Sequence, residues 1–214
     1  MYAIIRFFGW LAYKIYFNIS FEGKENIPKK GGFIFASNHR SYADPVIISL
    51  PVRSRFAYMA KKELFVNPFM RALIKSLGAF PVDRGADGIK AVETSMKMLE
   101  SGRNLLIFPE GTRSYDGKLG RGKLGASLIA AGSGADIVPV AIIFEGKLKF
   151  RRKIVVRYGK LIRTKEICPT GNTEITGANK EIKQLKTAMM SGIAELLPTE
   201  NEMKGETGGA AEKA

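Results

Sequence analysis

His39 is the only histidine in the 214-residue chain, and an aspartate follows five positions later in the stretch Asn38-His-Arg-Ser-Tyr-Ala-Asp44-Pro45. A carboxylate folded back onto one ring nitrogen fixes the imidazole tautomer and raises its basicity, leaving the other nitrogen to take a proton from a hydroxyl. That is a Ser-His-Asp arrangement without its serine, so the nucleophile would be an alcohol carried by the substrate. The plainer alternative is a turn histidine that caps the next helix, because a His with an Asp five residues on recurs by chance. A second stretch, Phe108-Pro-Glu-Gly-Thr-Arg-Ser114, follows an apolar run and passes through Gly111. Such a turn exposes backbone N–H groups, the Thr112 hydroxyl and the Arg113 guanidinium at one sheet edge, a set suited to a phosphate monoester. Arg113 would give paired charge-assisted bonds, while Glu110 would orient Arg113 or accept from a substrate hydroxyl. Here the plainer alternative is an N-cap-like loop with surface charges.

Both stretches need an edge to sit on. Residues 32–38 read as a buried strand ending at His39, and Asp44-Pro45 opens an apolar segment that can start a helix, where proline's missing N–H costs nothing. Further strands are expected at residues 55–60, 105–108, 137–144 and 154–157, with a short segment at 79–84. Helices are expected at 63–77, bent at Pro68, and at 88–100, 123–131 and 179–197. Alternating strands and helices predict an α/β fold, a mostly parallel sheet flanked by helices. One domain suits this length. The chain divides on this reading into an N-terminal helix at 1–20, a main domain at 21–198 and a disordered tail at 199–214, rich in Gly, Ala, Glu and Lys.

The blocks Asn-His-x4-Asp, Gly78-Ala-Phe-Pro-Val-Asp-Arg84, Phe-Pro-Glu-Gly-Thr-Arg and Val138-Pro-Val-Ala141 stand in an order that resembles the glycerolipid acyltransferase family, most closely its bacterial 1-acylglycerol-3-phosphate members. The resemblance covers roughly residues 30 to 145. It implies a fatty acyl transfer from acyl-CoA or acyl carrier protein to the sn-2 hydroxyl of 1-acylglycerol 3-phosphate, giving phosphatidic acid. It implies His39 as general base and Asp44 as its partner, with Glu110, Gly111, Thr112, Arg113 and Arg84 holding the glycerol phosphate. Pro139 falls in the fourth block, associated with the acyl-donor side, and Lys61 resembles a phosphate-site lysine, although Lys62 beside it competes for that assignment. No cofactor and no metal is implied. Backbone N–H groups near the His39 junction would then stabilise the tetrahedral oxyanion. Another lyso-lipid or glycerol-phosphate acceptor is the alternative within the family, and a non-enzymatic lipid or nucleic-acid binder the alternative outside it.

A balance of 34 Lys and Arg against 20 Asp and Glu, net +14, predicts a surface that attracts anions. One cysteine, Cys168, excludes an internal disulfide, and one histidine leaves zinc without a ligand set. Residues 1–19 are apolar and aromatic, with Arg6, Lys14 and Asn18 on one side if helical, as in a helix lying in a headgroup layer; packing on the protein's own core and a full span are the alternatives. Between Lys147 and Lys165 there are nine basic and no acidic residues. That stripe suits anionic lipid or nucleic acid, and the aromatic N-terminal helix favours lipid, so no nucleic-acid partner is expected. The expected place is the cytoplasmic face of the cell membrane. Residues 120–125 satisfy a dinucleotide glycine pattern but stand about ten residues after the nearest strand, and read as a loop leading to a helix.

Overall fold

The computed structural model describes residues 11–82, 88–169 and 180–199. Seven strands form one sheet: β1 (Asn18–Glu22), β2 (Ile34–Ser37), β3 (Phe56–Lys61), β4 (Ala79–Val82), β5 (Asn104–Ile107), β6 (Ile137–Ile143) and β7 (Lys153–Tyr158). Their order across the sheet is β1-β7-β6-β2-β5-β3-β4. From β6 to β4 every neighbouring pair is parallel. β7 runs antiparallel to β6 and carries β1 parallel to itself at the far edge. The fold is therefore α/β, with a mostly parallel sheet between helices.

The central strands are buried on both faces, which is why they read as unbroken apolar runs. Ile34 and Ala36 of β2 face one core with Leu105, Ile107 and Ile137, whereas Phe35 faces the other with Leu106, Val138 and Val140. Helices α4 (Gly88–Glu100), α5 (Gly125–Ser133) and α7 (Lys180–Ala194) cover the first face through Leu99, Ile129, Ile182, Leu185, Met189 and Ile193. On the second lie helix α2 (Asp44–Ser49), with Ile47 and Ile48 fully buried, and the helical residues 11–16 (α1), with Tyr13 packed on the cluster. Each such aliphatic side chain contributes about 1.5–3 kcal/mol on full burial. Helix α3 (Pro68–Ser76) and the short α6 (Thr164–Ile167) complete the set.

Several boundaries differ from expectation. The N-terminal helix stops at residue 16: Phe17 turns into the core, and Asn18 donates to Arg152 O at 3.1 Å to open β1. Asn18 thus lies on a strand rather than on the polar side of a helix. The expected helix at 63–77 is a 3-10 turn, Lys62–Phe65, followed by α3. Pro68 does not bend it, because Asn67 caps a fresh start, its Oδ1 accepting from Phe69 N at 3.0 Å and Met70 N at 3.1 Å. The basic segment after Lys147 supplies β7, whose Ile154, Val156 and Tyr158 are buried, and acids from elsewhere in the chain pair with part of it. Arg157 meets Glu22 and Arg163 meets Asp136, each at 2.8 Å. Cys168 is a core residue, with Sγ 3.1 Å from Glu181 Oε2. Arg84, the first ten residues and the tail beyond Thr199 lie outside the described residues.

Candidate active site

β2 and β5 are parallel neighbours in register Ala36↔Ile107, so the segments that leave their carboxyl ends, 38–44 and 108–114, lie side by side. Asn38 fixes the exit from β2. Its side-chain amide donates to Ile142 O at 3.0 Å and accepts from Ile142 N at 2.8 Å, pairing with β6 as a peptide group would. The chain then turns, and Asp44, fully buried at the start of α2, reaches back. Asp44 Oδ2 lies 2.8 Å from His39 Nδ1 and accepts the backbone N–H groups of Arg40 and Ser41, both at 2.7 Å. A carboxylate only accepts, so the neutral imidazole carries its proton on Nδ1 and presents the Nε2 lone pair. Phe108 stacks on the imidazole, centroids 3.8 Å apart and planes 15° apart, which holds the ring's plane. The His39 side chain remains 16% exposed. Asp44 Oδ1 is buried without a hydrogen-bond partner among the described residues.

Arg40 points away from the turn, its guanidinium carbon 4.4 Å above the Phe144 ring and one N–H donating to Phe144 O. Burial lowers its pKa from the ordinary arginine value, and Asp44 and Asp116 oppose that shift. Arg40 is therefore a strut between the turn and the end of β6.

Glu110 does not pair with Arg113. Its carboxylate is buried, Oε1 accepting from His39 N at 2.9 Å and Oε2 from Gly120 N at 2.7 Å. It ties the two turns together and makes no hydrogen bond to Arg113. Gly120 is needed for that approach, since a Cβ there would stand 2.7 Å from Glu110 Oε2. The junction's backbone N–H groups are also spent: His39 on Glu110, Arg40 and Ser41 on Asp44, and Ser114 on His39 O at 2.8 Å. They are engaged within the turn rather than facing a substrate oxygen.

Gly111 has φ +72°, a left-handed conformation that suits glycine, and the Lys123 side chain lies against it. Thr112 beyond it is exposed. Arg113 lies over Tyr42, its guanidinium carbon 3.6 Å from the ring centroid and Nη2 donating to the phenol oxygen at 2.9 Å. Tyr115 stands 5.5 Å away on the same cation. Beside the loop is a hollow of about 490 Å³ whose lining includes Glu110, Thr112, Arg113, Lys118 and Arg121. A second hollow, about 530 Å³, lies at α6 and α7 and includes none of these groups. Lys61 ends β3 opposite Val82, exposed at the same sheet edge, and has no hydrogen bond or ion pair with either turn among the described residues. Pro139 is buried inside β6 under Gly159 and Gly192, away from that edge's surface.

The sequence reading passed over Asn38, Tyr42 and Phe108, and also Lys118 and Arg121. The first three are contained in or adjoin its own motifs, and an aromatic next to each of the two chemical stretches was the available signal. Among the described residues no group of three or more His, Cys, Asp and Glu is arranged to hold a metal, and no helix is long and apolar enough to cross a membrane.

Comparison with known proteins gives a consistent picture. A chloroplastic 1-acyl-sn-glycerol-3-phosphate acyltransferase of Arabidopsis thaliana is 33% identical over 144 residues, covering 65% of this chain and 40% of that protein. The 1-acyl-sn-glycerol-3-phosphate acyltransferase of Bacillus subtilis (strain 168) is 40% identical over 120 residues, covering 55% of this chain and 59% of its own. The matched part is thus about half the length of these relatives. The crystal structure of the 1-acyl-sn-glycerophosphate acyltransferase of Thermotoga maritima superposes with a TM-score of 0.67 at 28% identity, over 91% of this chain and 79% of that one. The family model described as Acyltransferase matches residues 18–143, which hold both turns, and the chain belongs to that family.

Proposed function

We propose that this chain transfers a fatty acyl group from acyl-CoA or acyl carrier protein to the sn-2 hydroxyl of 1-acylglycerol 3-phosphate, giving phosphatidic acid. The observation that carries the reading is the His39 Nδ1–Asp44 Oδ2 contact of 2.8 Å, which leaves Nε2 as the acceptor on a partly exposed side chain. Nε2 takes the hydroxyl proton as the oxygen attacks the thioester carbonyl. The C–O bond forms, the C–S bond breaks, and the departing sulfur takes the proton back from the imidazolium. Asp44 keeps the ring oriented and stabilises its positive state. Arg113 offers its guanidinium to the acceptor's phosphate, with Thr112 and Gly111 beside it, and Lys118 and Arg121 add positive charge to the same hollow. Lys61, at the carboxyl end of β3, and Arg84 are carried in this reading from the family motif. Glu110 acts here as the brace between the two turns.

The reading assigns residues 21–198 to catalysis and residues 1–20 to contact with the cytoplasmic surface of the cell membrane, where the lipid acceptor resides. Residues 199–214 act as a tail without a role in the chemistry. The test is acyl transfer by detergent-solubilised protein to 1-acylglycerol 3-phosphate, with each donor in turn. Product from the wild type and none from His39→Ala is expected. Product formed equally by His39→Ala would overturn the role of the base, and no product from folded wild type with either donor would overturn the acceptor.

A further inference from the structure

Helix α3 carries Phe69, Met70, Leu73 and Ile74 and buries none of them. No residue of Pro68–Ser76 is buried. Phe69 is 78% exposed and Val66, just before the helix, 80%, with Leu64, Met70 and Leu73 exposed beside them. A helix of that composition in a water-facing position has no apolar cover among the described residues. The surrounding charge is of one dominant sign: Lys61, Lys62, Arg71 and Lys75 against Glu63 alone in residues 61–76, all of them exposed. Apolar anchors among lysines and arginines fit the interfacial layer of an anionic bilayer, whose headgroups take the cations while the acyl region takes the anchors.

The topology places this surface where a bilayer could reach it together with α1. The β2-α2-β3 and β3-α3-β4 crossovers both step toward the β4 edge, whereas the β4-α4-β5 and β5-α5-β6 crossovers step back. Right-handed crossovers put the first two helices on one face of the sheet and the last two on the other. α4 and α5 do pack on the opposite face to α2. α3 therefore shares its face with α2 and with α1, where Leu11, Ile15 and Tyr16 are exposed as well. Moreover, the 3-10 turn that carries Leu64 starts directly at the carboxyl end of β3, on the sheet edge that bears His39.

From these observations we infer that α3 and the turn before it form a second docking surface, which lies on an anionic lipid bilayer on the same face of the sheet as the N-terminal helix. This rests on the reading that the acceptor is a membrane lipid, and it adds a contact that residues 1–20 do not supply. A surface of this kind keeps the catalytic edge over the lipid layer, where a single short helix would act as a swivel.

The test uses the full chain with Trp10, its only tryptophan, changed to Phe and a reporter introduced by Phe69→Trp. With vesicles of phosphatidylglycerol containing no lysophosphatidate, the emission shifts to the blue, and lipids brominated on the acyl chain quench it. Phosphatidylcholine vesicles give neither change. In the Trp10→Phe background without the reporter, Val66→Ser with Leu73→Ser lowers partition into anionic vesicles about tenfold or more, and Arg71→Gln with Lys75→Gln lowers it about fivefold or more. Transfer to a short-chain, water-soluble acceptor remains unchanged in both pairs, which separates a failed docking surface from a failed assignment of the reaction. The inference is overturned if the reporter emits as in water while the chain is bound to vesicles. It is equally overturned if the wild type is a dimer by light scattering that the Val66 and Leu73 changes dissolve, since the occupant would then be a second copy.

Discussion

The turn after β2 keeps its carboxylate completely buried beneath one imidazole and two backbone N–H groups, while the loop after β5 leaves its arginine resting on a tyrosine ring that is 78% exposed. The first holds a group that must stay in one orientation relative to its neighbour. The second holds a cation that must give up its resting contacts to an incoming anion. A buried carboxylate with three donors is costly to disturb, because every donor it releases is left unpaired out of water. An exposed guanidinium exchanges one polar partner for another at little cost. The comparison predicts that changes in the first turn alter the chemical step and the fold, whereas changes in the second alter binding.

The largest effect is expected at the base itself. His39→Ala lowers kcat about 10²–10⁴-fold, the usual contribution of a positioned general base. Its far-UV spectrum and unfolding midpoint stay near wild type, because Asp44 retains the Arg40 and Ser41 N–H groups. Asp44 separates two roles that His39 cannot. Asp44→Asn can set its amide oxygen at the Oδ2 position and keep the three hydrogen bonds, but it removes the negative charge that stabilises the imidazolium, so kcat falls over the same range with modest loss of stability. Asp44→Ala loses as much activity and, in addition, about 1–3 kcal/mol of stability for each backbone donor stranded. Equal unfolding midpoints for the Asn and Ala variants in denaturant would break the claim that the carboxylate holds the turn.

Glu110 tests whether the two turns are one unit. Glu110→Gln leaves an oxygen for either His39 N or Gly120 N and turns an amide N–H against the other, at about 1–3 kcal/mol. We expect kcat to fall about tenfold with little change in KM, a sign that the residue positions the imidazole and does not touch the acceptor. A raised KM at constant kcat would instead return Glu110 to the substrate, as the letters alone suggested.

The backbone contacts of Glu110 show where sequence reasoning reaches its limit. The order of strands and helices could be read because β2, β5 and β6 are buried on both faces and stand out as apolar runs, and because Asp44-Pro45 marks a helix start. His39 and Asp44 could be paired because both lie within one turn. Glu110 could not be placed, since its partners are backbone N–H groups 71 and 10 positions away, and no residue type announces them. Asn18 was read with the helix before it because strand β1 is recognisable only beside β7, 135 residues later in register. The apolar spacing at Leu64, Phe69 and Leu73 suits one helix over 63–77, and spacing alone does not register the break between the 3-10 turn and α3. Asn67, a good N-cap just before Pro68, was the local sign that the segment is two elements.

The smallest effects are expected in the loop after β5, and they sharpen the contrast most. Arg113→Lys keeps the charge but loses the planar fork that lies on Tyr42 and pairs with phosphate, so KM for the phosphorylated acceptor rises about tenfold while kcat stays within about twofold. Tyr42→Phe removes the 2.9 Å bond to the guanidinium and keeps the ring beneath it. If stacking sets the resting position of Arg113, this variant shifts KM by no more than about twofold, because an exposed cation–π contact contributes about 0.5–1 kcal/mol and is retained. Tyr42→Ala loses both contacts and should approach a severalfold change. Should Tyr42→Phe match Tyr42→Ala in KM, the hydroxyl rather than the ring holds the arginine. A fall in kcat for either would mean that the loop and the catalytic turn are not separable, since Tyr42 lies between His39 and Asp44 in the chain.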